Sequence, residues 1–219
     1  IFIWNEKRVD QPLMPLKIFK IRNVLGANLA FLAISCTLFS MFFFLTLYIQ
    51  QVLGYSPVKT GFSFLPVTII IAITSGIMSN LVGKIGYKPP MQAGPIVLAV
   101  GLFTLSATME VGGDYWHNVF PGLAICAVGM GLTFLSGTLA ATSGVPKHFS
   151  GLASGVLNTS QQVGGALGLA ILSAVAFTTL RTDLTNGVNP SQAQINGYQT
   201  ALKVAVILAF LGALAVLVF

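Results

Sequence analysis

Charge is what this sequence has least of. Only 7% of its 219 residues are charged, eleven basic and five acidic, where a soluble domain carries about a quarter. So few charges cannot coat a globule of this size. A soluble fold is therefore excluded, and the 55% of hydrophobic residues reads as surface for membrane lipid. The net charge of +6 forms no basic patch, because the lysines and arginines sit in short segments between long uncharged runs. No nucleic-acid partner is expected. Cysteine is nearly missing: Cys36 and Cys126 lie inside apolar runs, fit no metal-ligand spacing and read as packing residues. Phosphate-binding loops and metal clusters are absent. The two histidines, His117 and His148, fall at helix ends, so the chain is expected to be no enzyme and to hold no cofactor and no metal. No signal-peptide pattern is present. The sequence opens on Ile1 and stops in an apolar run at Phe219, and it is expected to be the back part of a longer protein.

What is present in quantity is uncharged length. A helix needs about 20 apolar residues to cross about 30 Å of hydrocarbon. Six runs reach that size, at about residues 24–49, 60–82, 90–109, 118–141, 150–180 and 199–219. None alternates as a membrane strand does. The expected fold class is an all-α integral membrane protein, a six-transmembrane-helix bundle over residues 23–219 preceded by a linker, residues 1–22. Residues 182–199 are polar, with Asn186-Gly187 and Asn189-Pro190 as turn signals, and read as an exposed loop. Alternate connections divide the basic residues eight against three. Lys7, Arg8, Lys17, Lys20, Arg22, Lys84, Lys88 and Lys147 fall on one side, and Lys59, Arg181 and Lys203 on the other. By the positive-inside rule the linker is cytoplasmic and the loop at 182–199 extracytoplasmic, in a cell (inner, cytoplasmic) membrane.

Three segments carry polar chemistry. Between the second and third runs lies a loop with Lys84, Gly86 and Lys88, a tight basic reversal whose lysines suit helix carbonyls or lipid phosphates. In the fifth run Gly151 and Gly155, and Gly164 and Gly168 with Gly165 beside them, have the spacing that lets membrane helices approach closely. On the same helix Asn158, Gln161, Gln162 and Gly165 share a face. Three amides there must look into protein or water rather than lipid, as the wall of a polar cavity or as bonds between helices. At the end of the first run Tyr48 and Tyr55 suit an interfacial aromatic belt, and Pro66 predicts a bend in the second span. No charged residue lies deep in a span, so no proton-carrying side chain is visible.

The segment Tyr48-x-Gln50-x-x-x-Gly54-Tyr55-Ser56-Pro57-x-x-x-Gly61-x-x-x-x-Pro66 is followed by Gly151-x-x-x-Gly155-x-x-Asn158-x-x-x-Gln162-x-Gly164-Gly165-x-x-Gly168. Together they resemble the fourteen-helix drug:proton antiporter branch of the major facilitator superfamily. The run Pro12-Leu13-x-Pro15-Leu16-x-x-Phe19-x-x-Arg22 resembles the cytoplasmic link into that family's last six helices. The family's cytoplasmic loop motif is matched at Leu81, Lys84, Gly86 and Lys88. Gly83 replaces its Asp and Tyr87 its Arg, so the Asp's charge-relay role does not carry over.

The resemblance implies the C-terminal half of a transporter that rocks against an N-terminal half and binds substrate between them near the midplane. It implies proton-coupled efflux of lipophilic or cationic drugs by alternating access. The partners would be a small-molecule substrate, protons, membrane lipid and the N-terminal half of the same transporter. The first, second, fourth and fifth helices would face the cavity, and the third and sixth would support. Substrate-pathway candidates are Asn158, Gln161, Gln162, Tyr48, Gln50, Asn28, Thr133 and Ser136, with Ser35, Thr68 and Thr74 behind them. The competing readings are a superfamily exporter of a specific metabolite or lipid and, more remotely, a membrane enzyme or a non-transporting scaffold. A rhomboid-like serine protease built on Ser154 fails because no histidine lies in a later span.

Overall fold

The computed structural model describes residue 19 and residues 21–143, 145–146 and 149–218. Most of the expected linker, together with Lys147 and His148, lies outside the described residues. The elements are α1 (Arg22–Leu47), which runs on into a π-helical turn (Tyr48–Val52), α2 (Pro57–Ser63), α3 (Leu65–Ile85), α4 (Lys88–Thr108), α5 (Tyr115–Asn118), α6 (Phe120–Thr142), α7 (Ser150–Thr185) and α8 (Pro190–Val218). Six helical stretches are long and apolar enough to cross a membrane: α1 with its π turn, α2 with α3, then α4, α6, α7 and α8. No strand occurs among the described residues.

Local signals set the joints. Ser56 Oγ accepts from the Lys59 backbone N–H at 3.3 Å and caps α2, with Pro57 at the first helical position. Pro66 falls in the first turn of α3, where its missing N–H leaves nothing unpaired. The second span is thus interrupted at Phe64 and split in two, rather than bent within one helix. Gly86, at φ +80°, closes α3 and permits the immediate reversal into α4.

Residues 182–199 are not the exposed loop their polarity suggested. Helix α7 continues to Thr185 and α8 begins at Pro190, which leaves residues 186–189 as the connection. Asn189 Oδ1 accepts from the Ser191 N–H at 3.0 Å and Pro190 opens the helix. These are start signals that outweigh composition. The polar side chains are used between helices, as where Asn196 Nδ2 donates to Asp183 Oδ2 at 2.7 Å.

Packing is closest where glycines meet. Helix α4 crosses α6 at two levels, Gly101 against Gly122 and Gly94 against Gly129. A Cβ on Gly122 would stand 2.9 Å from the Gly101 carbonyl oxygen, and one on Gly129 2.8 Å from that of Gly94. Helix α7 lies on α1 in the same way: a Cβ on Gly164 would meet the backbone of Leu32, and one on Gly168 the backbone of Cys36. Helices α3, α6, α1 and α7 form a row of neighbours, and α4 and α8 pack on each other behind them. Phe31, Ile34, Met41, Phe44, Leu98 and Leu123 fill the space between the rows. Cys36 and Cys126 are both free and buried. The least covered spans are α2–α3 and α7, with 17% and 28% of their apolar windows buried, against 61% for the first span.

Gly101→Val and Gly168→Val are each expected to destabilise the 219-residue chain by roughly 1–3 kcal/mol or more through overpacking. Gly155→Ala, which enters open space, should stay within about 0.5 kcal/mol of wild type. Thermal unfolding in detergent micelles measures both.

Candidate functional site

The amide stripe of α7 lies on the open side of the bundle. Asn158 and Gln162 are exposed and Gln161 is half-buried. None of the three bonds another helix among the described residues. Gly165, grouped with them by spacing, is instead packed against the Phe39 ring. The glycine expectation divides. Gly164 and Gly168 meet α1, whereas Gly151 and Gly155 have, among the described residues, only open space where a side chain would stand.

The residue that does tie α7 to α1 is Ser160, whose Oγ donates to Asn28 Oδ1 at 2.7 Å. Asn28 Nδ2 in turn donates to the Val24 carbonyl at 2.7 Å. Ser160 escaped the sequence reading because a serine in a helix commonly bonds its own preceding turn. Its signal was the four-residue spacing Ser160, Gly164, Gly168, a run of small residues on one face.

Several pathway candidates are spent on packing. Asn28, Ser35, Thr133 and Ser136 are buried. Thr133 Oγ1 donates to the Gly129 carbonyl at 2.8 Å, and Ser136 Oγ to that of Leu132. Thr68 is exposed and bonds Phe64 in its own span, while Thr74 packs against Gly131. Gln50 is half-buried and without a side-chain bond among the described residues.

Tyr48, read as a belt residue and a pathway candidate, is fully buried in this bundle rather than turned to its open side. Its hydroxyl donates to the Glu110 carbonyl at 2.9 Å and accepts the Glu110 N–H at 3.2 Å. Around it the turn between α4 and α6 is tightly bonded. Asn118 Nδ2 donates to the Thr108 carbonyl at 2.6 Å and to Glu110 Oε1 at 3.1 Å, and its Oδ1 accepts the Asp114 N–H at 2.7 Å. Tyr115 Oη donates to the Ser63 carbonyl, and Gln199 Nε2 to that of Met109 at 2.8 Å. The turn therefore joins α1, α2 and α8.

Asp114 caps α5 through the N–H groups of Trp116 and His117 at 2.8 and 3.1 Å, with its other oxygen 2.7 Å from His117 Nδ1. The His117 contact foremost, and then those backbone N–H groups, hold the Asp114 carboxyl below its ordinary value. At the opposite end Lys84, Gly86 and Lys88 are exposed, and Asn23 Nδ2 donates to Tyr87 Oη at 3.3 Å. No group of three or more His, Cys, Asp or Glu able to hold a metal occurs among the described residues.

Residues 3–169 match the Major Facilitator Superfamily. The chain belongs to that family. Similar proteins include Multidrug resistance protein Stp of Mycobacterium tuberculosis, 30% identical over 84% of this chain and 34% of its own length. Puromycin resistance protein pur8 of Streptomyces alboniger is 31% identical over 94% of this chain and 42% of its own. The Lincomycin resistance protein of Streptomyces lincolnensis is 32% identical over 81% and 36%. The chain spans about a third to two fifths of the length of these relatives. It is a multi-pass membrane protein of a transporter family and not an enzyme.

Tyr48→Phe should cost about 1–3 kcal/mol, because it strips both bonds from the Glu110 peptide in a buried place. Ser160→Ala should cost about 1 kcal/mol. Melting temperatures of the purified variants test both. The depressed Asp114 value means its capping stability is present above the ordinary Asp pKa of about 3.9 and is lost as pH falls through the lower folded value. Acid titration followed by Trp116 fluorescence should show a transition below that of a free Asp, and Asp114→Asn should abolish it.

Proposed function

We infer that this chain is the six-helix C-terminal half of an exporter that moves lipophilic or cationic drugs out of the cell by proton-coupled alternating access. The observation that carries the reading is the open amide face of α7. Asn158, Gln161 and Gln162 have no side-chain partner among the described residues, and amides turned to hydrocarbon are costly. A second bundle laid over α7 and the sparsely covered α3 would put that face between the halves, where transporters of this architecture bind substrate. The resistance names of the relatives support drugs as the cargo. In this reading residues 1–22 are the cytoplasmic linker, the Lys84–Lys88 turn is cytoplasmic and the connection at 186–189 is outside. Protons would be carried by side chains in the other half, since the described spans of this one hold no acid in their interior.

The intact protein in a pump-deficient bacterial strain should expel a fluorescent cationic dye, and a protonophore should abolish the efflux. Absence of efflux with the protein in the membrane would sink the drug-export reading and leave a narrower metabolite exporter. Gln162→Ala should slow efflux about fivefold or more. Ser106→Ala, on the supporting α4 with its hydroxyl bonded to Phe103, should change it by less than about twofold. The 219-residue chain alone should give none.

A further inference from the structure

A cleft lies outside the amide face, at the Tyr48 end of the bundle, where α1, α7 and α8 meet. It offers about 240 Å³, room for a molecule somewhat smaller than a typical drug, whose sites start at about 300 Å³. Its walls are apolar: Phe43 and Leu47 from α1, Phe177 and Leu180 from α7. Its polar rim is a trio from two elements. Gln194 Nε2 donates to Gln51 Oε1 and, at 2.7 Å, to Tyr198 Oη, and Tyr198 Oη also reaches Gln51 Oε1 at 3.3 Å. Phe44, with its ring centroid 5.6 Å from that of Tyr198, fixes the tyrosine.

These bonds use both hydrogens of Gln194 and load the Gln51 oxygen twice. The Gln51 amide N–H pair and the Gln194 carbonyl are left without a partner among the described residues. The trio thus presents a donor and an acceptor side by side at the mouth of an apolar cleft. Among the described residues no Lys, Arg, Asp or Glu lines it. Gln51 lies in the π turn at Tyr48–Val52, a kind of turn often found at functional sites.

We propose that this cleft is a binding site for a small neutral amphiphile, an aromatic or branched apolar body in the Phe43–Phe177 cleft with an alcohol, amide or carbonyl head on Gln51 and Gln194. The absence of charge disfavours an ionic head, since a buried unpaired ion is expensive and no counter-charge is present. The same absence argues against a phospholipid, whose phosphate needs a cation or a set of donors. The site is distinct from the amide face of α7. Gln162 and Phe177 are fifteen residues apart on one helix, about 22 Å along its axis, and α8 contributes the trio's Gln194 and Tyr198.

The test is photolabelling of the intact protein in phosphatidylcholine nanodiscs with 4-(hydroxymethyl)benzophenone, with adducts mapped by peptide mass spectrometry. Saturable labelling should fall within residues 43–51 and 176–198 and be suppressed by excess diphenylmethanol. Gln51→Leu should raise the half-saturating concentration about fivefold, the loss of one hydrogen bond. Leu180→Trp, which fills the cleft, should reduce labelling at least about fivefold at an unchanged melting temperature. Leu47→Trp fills it from the other wall if Leu180→Trp does not fold. Labelling that never saturates, or that is spread equally over the exposed Ile207 and Phe210 of α8, would overturn the site as mere partitioning. Suppression by phosphatidylglycerol rather than by diphenylmethanol would overturn it in favour of a lipid. None of these readouts requires transport, so they stand apart from the dye-efflux outcome.

Discussion

Helix backbones in contact at glycine are the constraint on which the rest of this bundle depends. In lipid no hydrophobic force drives helix to helix, because hydrocarbon is as apolar as leucine, and association rests on close packing and on hydrogen bonds. The chain meets that requirement at two seams. In one, Gly94 and Gly101 of α4 face Gly129 and Gly122 of α6. In the other, Gly164 and Gly168 of α7 sit on the backbone of Leu32 and Cys36 in α1. Once these pairs are closed, α8 has one place to lie, against α1, α4 and α7, and α3 is left holding to α6 alone along most of its length. The faces that remain open are therefore consequences of where the glycines are.

The polar side chains sort themselves by the same geometry. Those at the seams or under the α4–α6 turn are consumed: Asn28 by Ser160, Thr133 by its own helix, Tyr48 by the Glu110 peptide. Among the described residues no buried side-chain nitrogen or oxygen is left without a partner. Capacity to bind something else is confined to places the seams leave uncovered, the amides of α7 and the rim built by Gln51 and Gln194. A polar residue in a span is thus informative only after its partner has been looked for.

The six spans and the all-helical class were legible because charge is scarce and the uncharged runs have membrane length. Helix ends were less so. Residues 190–199 read as loop because their polarity was weighed and the Asn189-Pro190 start signal was not. Spacing singled out Gly164 and Gly168, which lie on the α1 backbone, and equally Gly151 and Gly155, which face open space, since a four-residue repeat does not say whether a neighbour stands opposite. The α4–α6 glycines were missed for the reverse reason: seven residues separate Gly94 from Gly101 and Gly122 from Gly129, and only a second helix with the same interval gives that spacing meaning. The burial of Tyr48 was not legible, because an aromatic near a span end looks interfacial and the turn that closes over it comes 62 residues later in sequence. The amides of α7 were placed on one face by periodicity alone, and what covers that face is not written in this stretch of chain.

The bond between Asn28 and Ser160 joins residues 132 positions apart, and this has a consequence for the order in which the protein is made. The first span must leave the ribosome and enter the membrane long before the fifth exists. The bond from the Asn28 amide to the Val24 carbonyl one turn back lies within one helix and needs no later span, while the side-chain oxygen of Asn28 waits. At this position the first span is thereby inserted with one hydrogen bond made within its own helix and the carbonyl oxygen of Asn28 still open. That acceptor is filled when the hydroxyl of the fifth span arrives beside it, so the bundle closes late in synthesis, with the glycine seam and the hydrogen bond formed by the same helix at the same moment.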